Sequence, residues 1–209
     1  MTRNYPSHTT CRLKPAPGTT ALQKFLEAHP NLVSTVENAV HFEEVQFFSG
    51  SNYLNGLEWY QNQFPEPESK DVMLFEKSAN YFDNEITPKR IHALVPKVKI
   101  IIILADPIRR AYSWYQNMRY HNDPVTRNYT FFEIVTAPDT APKFLRDTRN
   151  KCLKSGAYAI HLARWLQVFP RSQIYLVDGD QLSKTPITVL NQIQKFLNVQ
   201  PFEDFSTKL

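Results

Sequence analysis

Six of the seven residues from Val98 to Leu104 are apolar, and four of them are consecutive isoleucines. β-Branched side chains are stiff and favour extended backbone. A run that is apolar at every position has no polar face to turn toward water. It belongs in the middle of a parallel sheet, covered on both faces. Parallel neighbours need long crossovers, normally helices, so this run predicts an α/β fold.

The flanking sequence supplies both kinds of element. Val72–Phe75 and Ile174–Val177 read as further strands, and His41–Phe48 as an extended stretch. Helical spacing appears from Thr19 to His29, where Pro30 stops it, with Leu22, Phe25 and Leu26 as its stripe. Leu57–Phe64, Arg109–Tyr120 after Pro107, Thr130–Val135 and Tyr158–Phe169 read as helices. Thr87-Pro88 and Thr185-Pro186 each pair a cap with a first-turn proline. They open a helix to Val95 and a last helix with the stripe Ile187, Leu190, Ile193 and Leu197. The 209 residues fit one domain. In sheets of this kind, ligands bind at the carboxyl ends of the strands.

Several function classes drop out. The formal charge of +4 is ordinary for a surface, and no basic run is dense enough for a nucleic-acid arm. No segment approaches the roughly 18 apolar residues of a membrane span, so no membrane contact by the chain is expected. The start, Met1 to Pro6, lacks the apolar stretch of a signal peptide. A cytosolic location, or a targeting segment outside the chain, follows as an expectation. Cys11 and Cys152 make no disulfide framework. Asn128-Tyr129-Thr130 is a glycosylation pattern if the chain is secreted.

Gly18-Thr19-Thr20 stands directly before the first helix. A glycine turn at a helix start can offer N–H groups to a phosphate. The lysine of a nucleotide triphosphatase loop is missing, which disfavours a kinase or GTPase. Glu44, Lys77, Ser113, Arg110 and His121 are further candidates. Taken singly, each reads as an ordinary surface or loop residue.

Their order changes that reading. Pro15-Ala16-Pro17-Gly18-Thr19-Thr20-Ala21-Leu22 resembles the 5′-phosphosulfate loop of sulfotransferases, usually Pro-Lys-x-Gly-Thr-Thr-x-Leu. The long strand followed by Asp106 to Tyr115 resembles their 3′-phosphate motif. Phe42 to Phe48, Phe75 to Phe82, Ala111 to Gln116 and Asn150 to Leu153 resemble the heparan sulfate N-deacetylase/N-sulfotransferases in particular. The likeness runs from Pro15 to about Val199.

The resemblance implies a P-loop-like, three-layer fold with a central, mostly parallel sheet flanked by helices. It implies the sulfuryl donor 3′-phosphoadenosine 5′-phosphosulfate (PAPS), no metal, and a heparan sulfate or heparosan acceptor with a free glucosamine amine. It gives Glu44 as general base, Lys77 as the cation at the sulfuryl group and His121 beside the acceptor. Gly18, Thr19, Thr20, Arg110 and Ser113 fall on the donor. A Golgi-lumenal setting is implied with them. Residues 1–14 become an irregular lead-in and 15–209 the sulfotransferase domain.

Three departures qualify this. Ala16 stands where the loop lysine is expected, and Pro17 lacks a backbone N–H. Losing such a cation typically costs about 2.7–4 kcal/mol of transition-state stabilisation. The lead-in Ser7 to Lys14 is polar for a central strand. The chain ends at Leu209, before the family's closing loop. The expectation is a truncated, catalytically weakened transferase, with a non-catalytic module that binds heparan chains or nucleotide as the alternative.

Overall fold

The computed structural model describes residues 19–36, 44–203 and 205. The elements are α1 (Thr19–Glu27), β1 (Leu32–Ser34), α2 (Gly56–Gln61), β2 (Met73–Phe75), α3 (Thr87–Leu94), β3 (Ile100–Leu104) and α4 (Pro107–Tyr120). There follow α5 (Pro124–Asn128), α6 (Phe131–Val135), α7 (Lys143–Lys154), α8 (Tyr158–Leu166), β4 (Ile174–Asp178), α9 (Gly179–Lys184) and α10 (Pro186–Leu197).

β1 pairs parallel with β2, Leu32 opposite Met73, and β3 pairs parallel with β4, Ile100 opposite Ile174. The isoleucine run is buried on both faces, as the sequence predicts. Ile100 and Ile102 enter one core with Tyr60 of α2, Ile91 of α3 and Trp165 of α8. Ile101 and Ile103 enter the other with Leu22 and Leu26 of α1, Leu182 of α9 and Leu190 and Ile193 of α10. β2 divides in the same way, Leu74 to the first core and Met73 and Phe75 to the second. Both strand pairs therefore lie in one layer between two helical layers. Each fully buried isoleucine contributes about 1.5–3 kcal/mol. A third cluster, Tyr115, Ile134, Ala137 and Leu145, joins α4, α6 and α7.

α4 starts where it does because Asp106 caps it. The Asp106 carboxylate accepts the Ile108 and Arg109 N–H groups at 3.0 and 2.9 Å, and Pro107 fills the first position without needing a partner. Asp106→Ala should cost about 1 kcal/mol, read as a lowered urea midpoint at unchanged slope.

Other boundaries differ from expectation. Thr87 does not cap α3; Ile86 holds that position, and Asn84 Oδ1 accepts the Ile86 and Thr87 N–H groups. The buried Thr87 hydroxyl instead reaches Phe48 O and Asn84 Oδ1. Ile187 is 44% exposed, and the buried stripe of α10 is Val189, Leu190, Ile193 and Leu197. Glu44 to Phe48 is not a strand; residues 41–43 lie outside the described residues. Gln46 has φ 48, a left-handed conformation that breaks extension. β1, α5, α7 and α9 were not expected.

Candidate active site

Strand β2 ends at Phe75, and the chain continues Glu76-Lys77-Ser78 into the carboxyl-end region of the sheet. The Lys77 ammonium lies 3.9 Å from Glu44 Oε1, with the two side chains 2% and 9% exposed. Glu44 Oε2 accepts the Ala79 N–H at 3.0 Å and the Gln46 side-chain amide at 3.3 Å. Glu44 and Lys77 are 33 positions apart in sequence and meet only in the fold. At 3.9 Å and an effective dielectric of about 20, their attraction is about 4 kcal/mol, which desolvation largely offsets. Such a pair is weak evidence for stability and better evidence for a site that needs both charges.

α1 crosses the end of β2. Leu22, Gln23 and Leu26 enclose a small cavity with Phe75, Glu76, Lys77 and Ile101. The first turns of α1, which begins at Thr19, therefore stand beside Lys77. Gly18, Ala16 and the lead-in 1–14 lie outside the described residues, and of Thr19 and Thr20 only the helical backbone is described.

α4 carries the other candidates. Arg110 is 2% exposed and donates to Cys152 O near the end of α7. Burial pulls its guanidinium pKa below the ordinary value. It lines an apolar groove of about 500 Å³ with Pro107, Ala111, Leu153 and Gly156. Ser113, one turn on, is half-buried and is not on that wall. Only Nη2 is engaged at α7; Nε and Nη1 are buried with no hydrogen-bond partner among the described residues, and Ser113 does not share their wall. His121 is the exposed C-cap of α4, its ring edge-on to Tyr120 at 5.3 Å. At about 1.5 Å per residue, α4 separates it from Arg110 by roughly 16 Å along the axis.

Sequence reasoning passed over Glu76 except as part of a motif. It is 1% exposed and accepts from Tyr60 at 3.0 Å, from Tyr81 at 3.2 Å and from Ser78 at 3.4 Å. Burial pushes its carboxyl up to about 7, which the three hydroxyls only partly counter. A glutamate directly after a buried strand was the available signal. The folded carboxyl holds its proton more tightly than the unfolded one. Its contribution to stability is full below about 4.5 and is lost as pH rises toward about 7. The loss is of order 3 kcal/mol. Urea denaturation at pH values on either side of this window should show it, and Glu76→Gln should flatten the difference.

Among the described residues, no three or more His, Cys, Asp or Glu side chains cluster to hold a metal, and no helix is long and apolar enough to cross a membrane.

The layered parallel fold, with a buried carboxylate and ammonium paired at the end of β2, is that of sulfotransferases. A sulfotransferase from Alicyclobacillus acidocaldarius superposes with a TM-score of 0.74 at 22% identity, over 92% of this chain and 81% of that one. A mouse sulfotransferase solved with PAP superposes at 0.57 and 15% identity, over 97% and 62%. Residues 15–208 match the Sulfotransferase domain family, and the chain belongs to that family. Its curated relatives include the bifunctional heparan sulfate N-deacetylase/N-sulfotransferase of Drosophila melanogaster, 48% identical over 92% of this chain and 20% of the relative. They also include form 4 from Mus musculus, 49% identical over 92% and 22%, and form 2 from Homo sapiens, 46% over the same shares. The chain spans about a fifth of the length of these relatives.

Proposed function

We propose that the chain is a heparan sulfate glucosamine N-sulfotransferase domain, comprising residues 15–209, which moves the sulfuryl group of PAPS to a free glucosamine amine. The observation that carries this is the buried Glu44–Lys77 pair at the end of β2, beside the start of α1. In-line transfer needs a base on the attacking side and a cation where charge gathers. Glu44 takes the proton from the amine as the N–S bond forms and the S–O bond to the 5′-phosphate breaks, so that 3′-phosphoadenosine 5′-phosphate leaves with the bonding electron pair. Lys77 faces the sulfuryl oxygens and stabilises their charge. Gly18, Thr19, Thr20, Arg110 and Ser113 hold the phosphates of the donor, Arg110 with the guanidinium nitrogens that α7 leaves open. His121 meets the acceptor chain. The 46–49% identity to heparan sulfate N-sulfotransferases supports this acceptor, and a Golgi-lumenal setting goes with it.

Ala16, in place of the loop lysine, favours a second reading: a module that binds heparan chains or nucleotide without turnover. Calorimetric titration with 3′-phosphoadenosine 5′-phosphate separates them from a chain with no donor site. Micromolar binding, lost in Ser113→Ala, is expected. Sulfate transfer to N-deacetylated heparosan, with and without Ala16→Lys, then distinguishes enzyme from module. A folded chain that binds no nucleotide overturns the transferase reading.

A further inference from the structure

The segments that carry Glu44 and Lys77 are joined by a residue that the reaction does not use. Glu76 collects two relays from the Glu44 segment. The Gln46 N–H donates to Ser78 Oγ at 2.9 Å, and the Ser78 hydroxyl donates to Glu76 Oε2 at 3.4 Å. The Phe48 N–H donates to the Tyr81 oxygen at 3.2 Å, and the Tyr81 hydroxyl lies 3.2 Å from both Glu76 oxygens. Tyr60 of α2 adds a third hydroxyl at 3.0 Å. Ser78 and Tyr81 are both fully buried. Each relay therefore starts at a backbone N–H within four residues of Glu44 and ends on one carboxyl group.

That backbone needs support. Gln46 sits at φ 48, which carries strain for a residue with a side chain and persists only where its surroundings hold it. Its N–H bond to Ser78 is one such hold. We propose that Glu76 is a positioning residue, which fixes the backbone at Gln46 and Phe48 through Ser78 and Tyr81 and so sets the Glu44 carboxylate opposite Lys77. This rests on the reading of Glu44 as the base.

The protonation state of Glu76 bears on the relays. A protonated carboxyl gains an O–H that needs an acceptor, and where one of the three hydroxyl oxygens accepts it, that hydroxyl's own hydrogen is redirected. The groups that face it are the hydroxyls of Tyr60 from α2, Tyr81 and Ser78, and the Glu44 charge acts on it from the other segment. α1 brings only the uncharged Gln23 to the shared cavity.

The test uses the full chain and two readouts. The first is transfer from PAPS to N-deacetylated heparosan. Glu76→Gln should lower kcat on the order of 10–100-fold, as misplacement of a base does, while KM for PAPS stays within about twofold. In a Glu44→Gln background, Glu76→Gln should cost little more, because the base it positions is gone. A loss that adds in full to that of Glu44→Gln, or no loss at all, overturns the proposal. If Glu76→Gln does not fold, Tyr81→Phe cuts the Phe48 relay and leaves the carboxyl in place. It should show the same kcat-limited loss, and an unchanged kcat overturns the proposal.

The second readout needs no turnover. The backbone amide resonances of Gln46 and Phe48 should titrate with a midpoint near 7 in the parent chain and lose that titration in Glu76→Gln. Amides that ignore pH overturn the proposal. A parent chain that transfers nothing overturns the transferase reading instead, and the amide titration still decides the role of Glu76.

Discussion

Glu44→Gln is expected to lower kcat for sulfuryl transfer by about 10²–10⁴-fold, the span of a lost general base. The amide keeps the volume of the carboxylate, but it can take no proton from the attacking amine. The contacts that hold residue 44 survive in part, since its side-chain oxygen still accepts from Ala79. The chain should therefore stay folded, with nucleotide binding intact. Initial rates with PAPS and N-deacetylated heparosan, set beside calorimetric binding of 3′-phosphoadenosine 5′-phosphate, separate the two effects. If rate and binding fall together, residue 44 holds the fold and is not the base. Lys77→Ala should lower kcat by about 10²–10³-fold. The double variant should be no worse than the sum of its parts, because the two residues act on one transition state.

Trp165→Ala is expected to cost about 3–5 kcal/mol of stability. The indole is fully buried, stacks on Phe169 at 5.9 Å between centroids and donates from Nε1 to Phe82 O at 3.1 Å. Phe82 closes the segment that begins at Glu76 and Lys77, so the indole clamps the site's lower edge to α8. Truncation removes the packing and leaves a buried carbonyl without its donor. The expected fall in Tm is on the order of 10 °C, read by calorimetry. Trp165→Phe keeps most of the ring contact and loses only the hydrogen bond, so about 1–3 kcal/mol is expected. Equal losses for the two variants would show that the hydrogen bond, not the packing, carries the effect.

The two stability predictions run against each other at the site. Trp165 strengthens the scaffold, whereas burying the Glu76 carboxyl weakens it at neutral pH and above. A buried acid that costs stability persists where something else depends on it, which is why its links through Ser78 and Tyr81 to the Glu44 segment bear on mechanism.

Local chemistry was legible from the chain itself. The run Ile100 to Ile103 determined a strand covered on both faces, because an all-apolar β-branched segment has no other stable setting. Pro107 and Thr130 marked helix starts, because first-turn prolines and caps act at short range. The motif order determined the family. α7 escaped notice because only Leu145 and Cys152 of its twelve residues are buried, too few for a clear stripe. β1 escaped because three residues show no period.

What sequence could not decide is which polar groups face one another. Arg110 and Ser113 share a helix spacing, yet the packing of α7 turns Arg110 inward to Cys152. Thr87 has the sequence context of a cap, yet a loop carbonyl at Phe48 claims its hydroxyl. The meeting of Glu44, Glu76 and Lys77 depends on where a left-handed turn at Gln46 sets down against the end of β2. Long-range polar contacts are chosen by the whole core at once, because a buried charge must find its partners wherever packing places them.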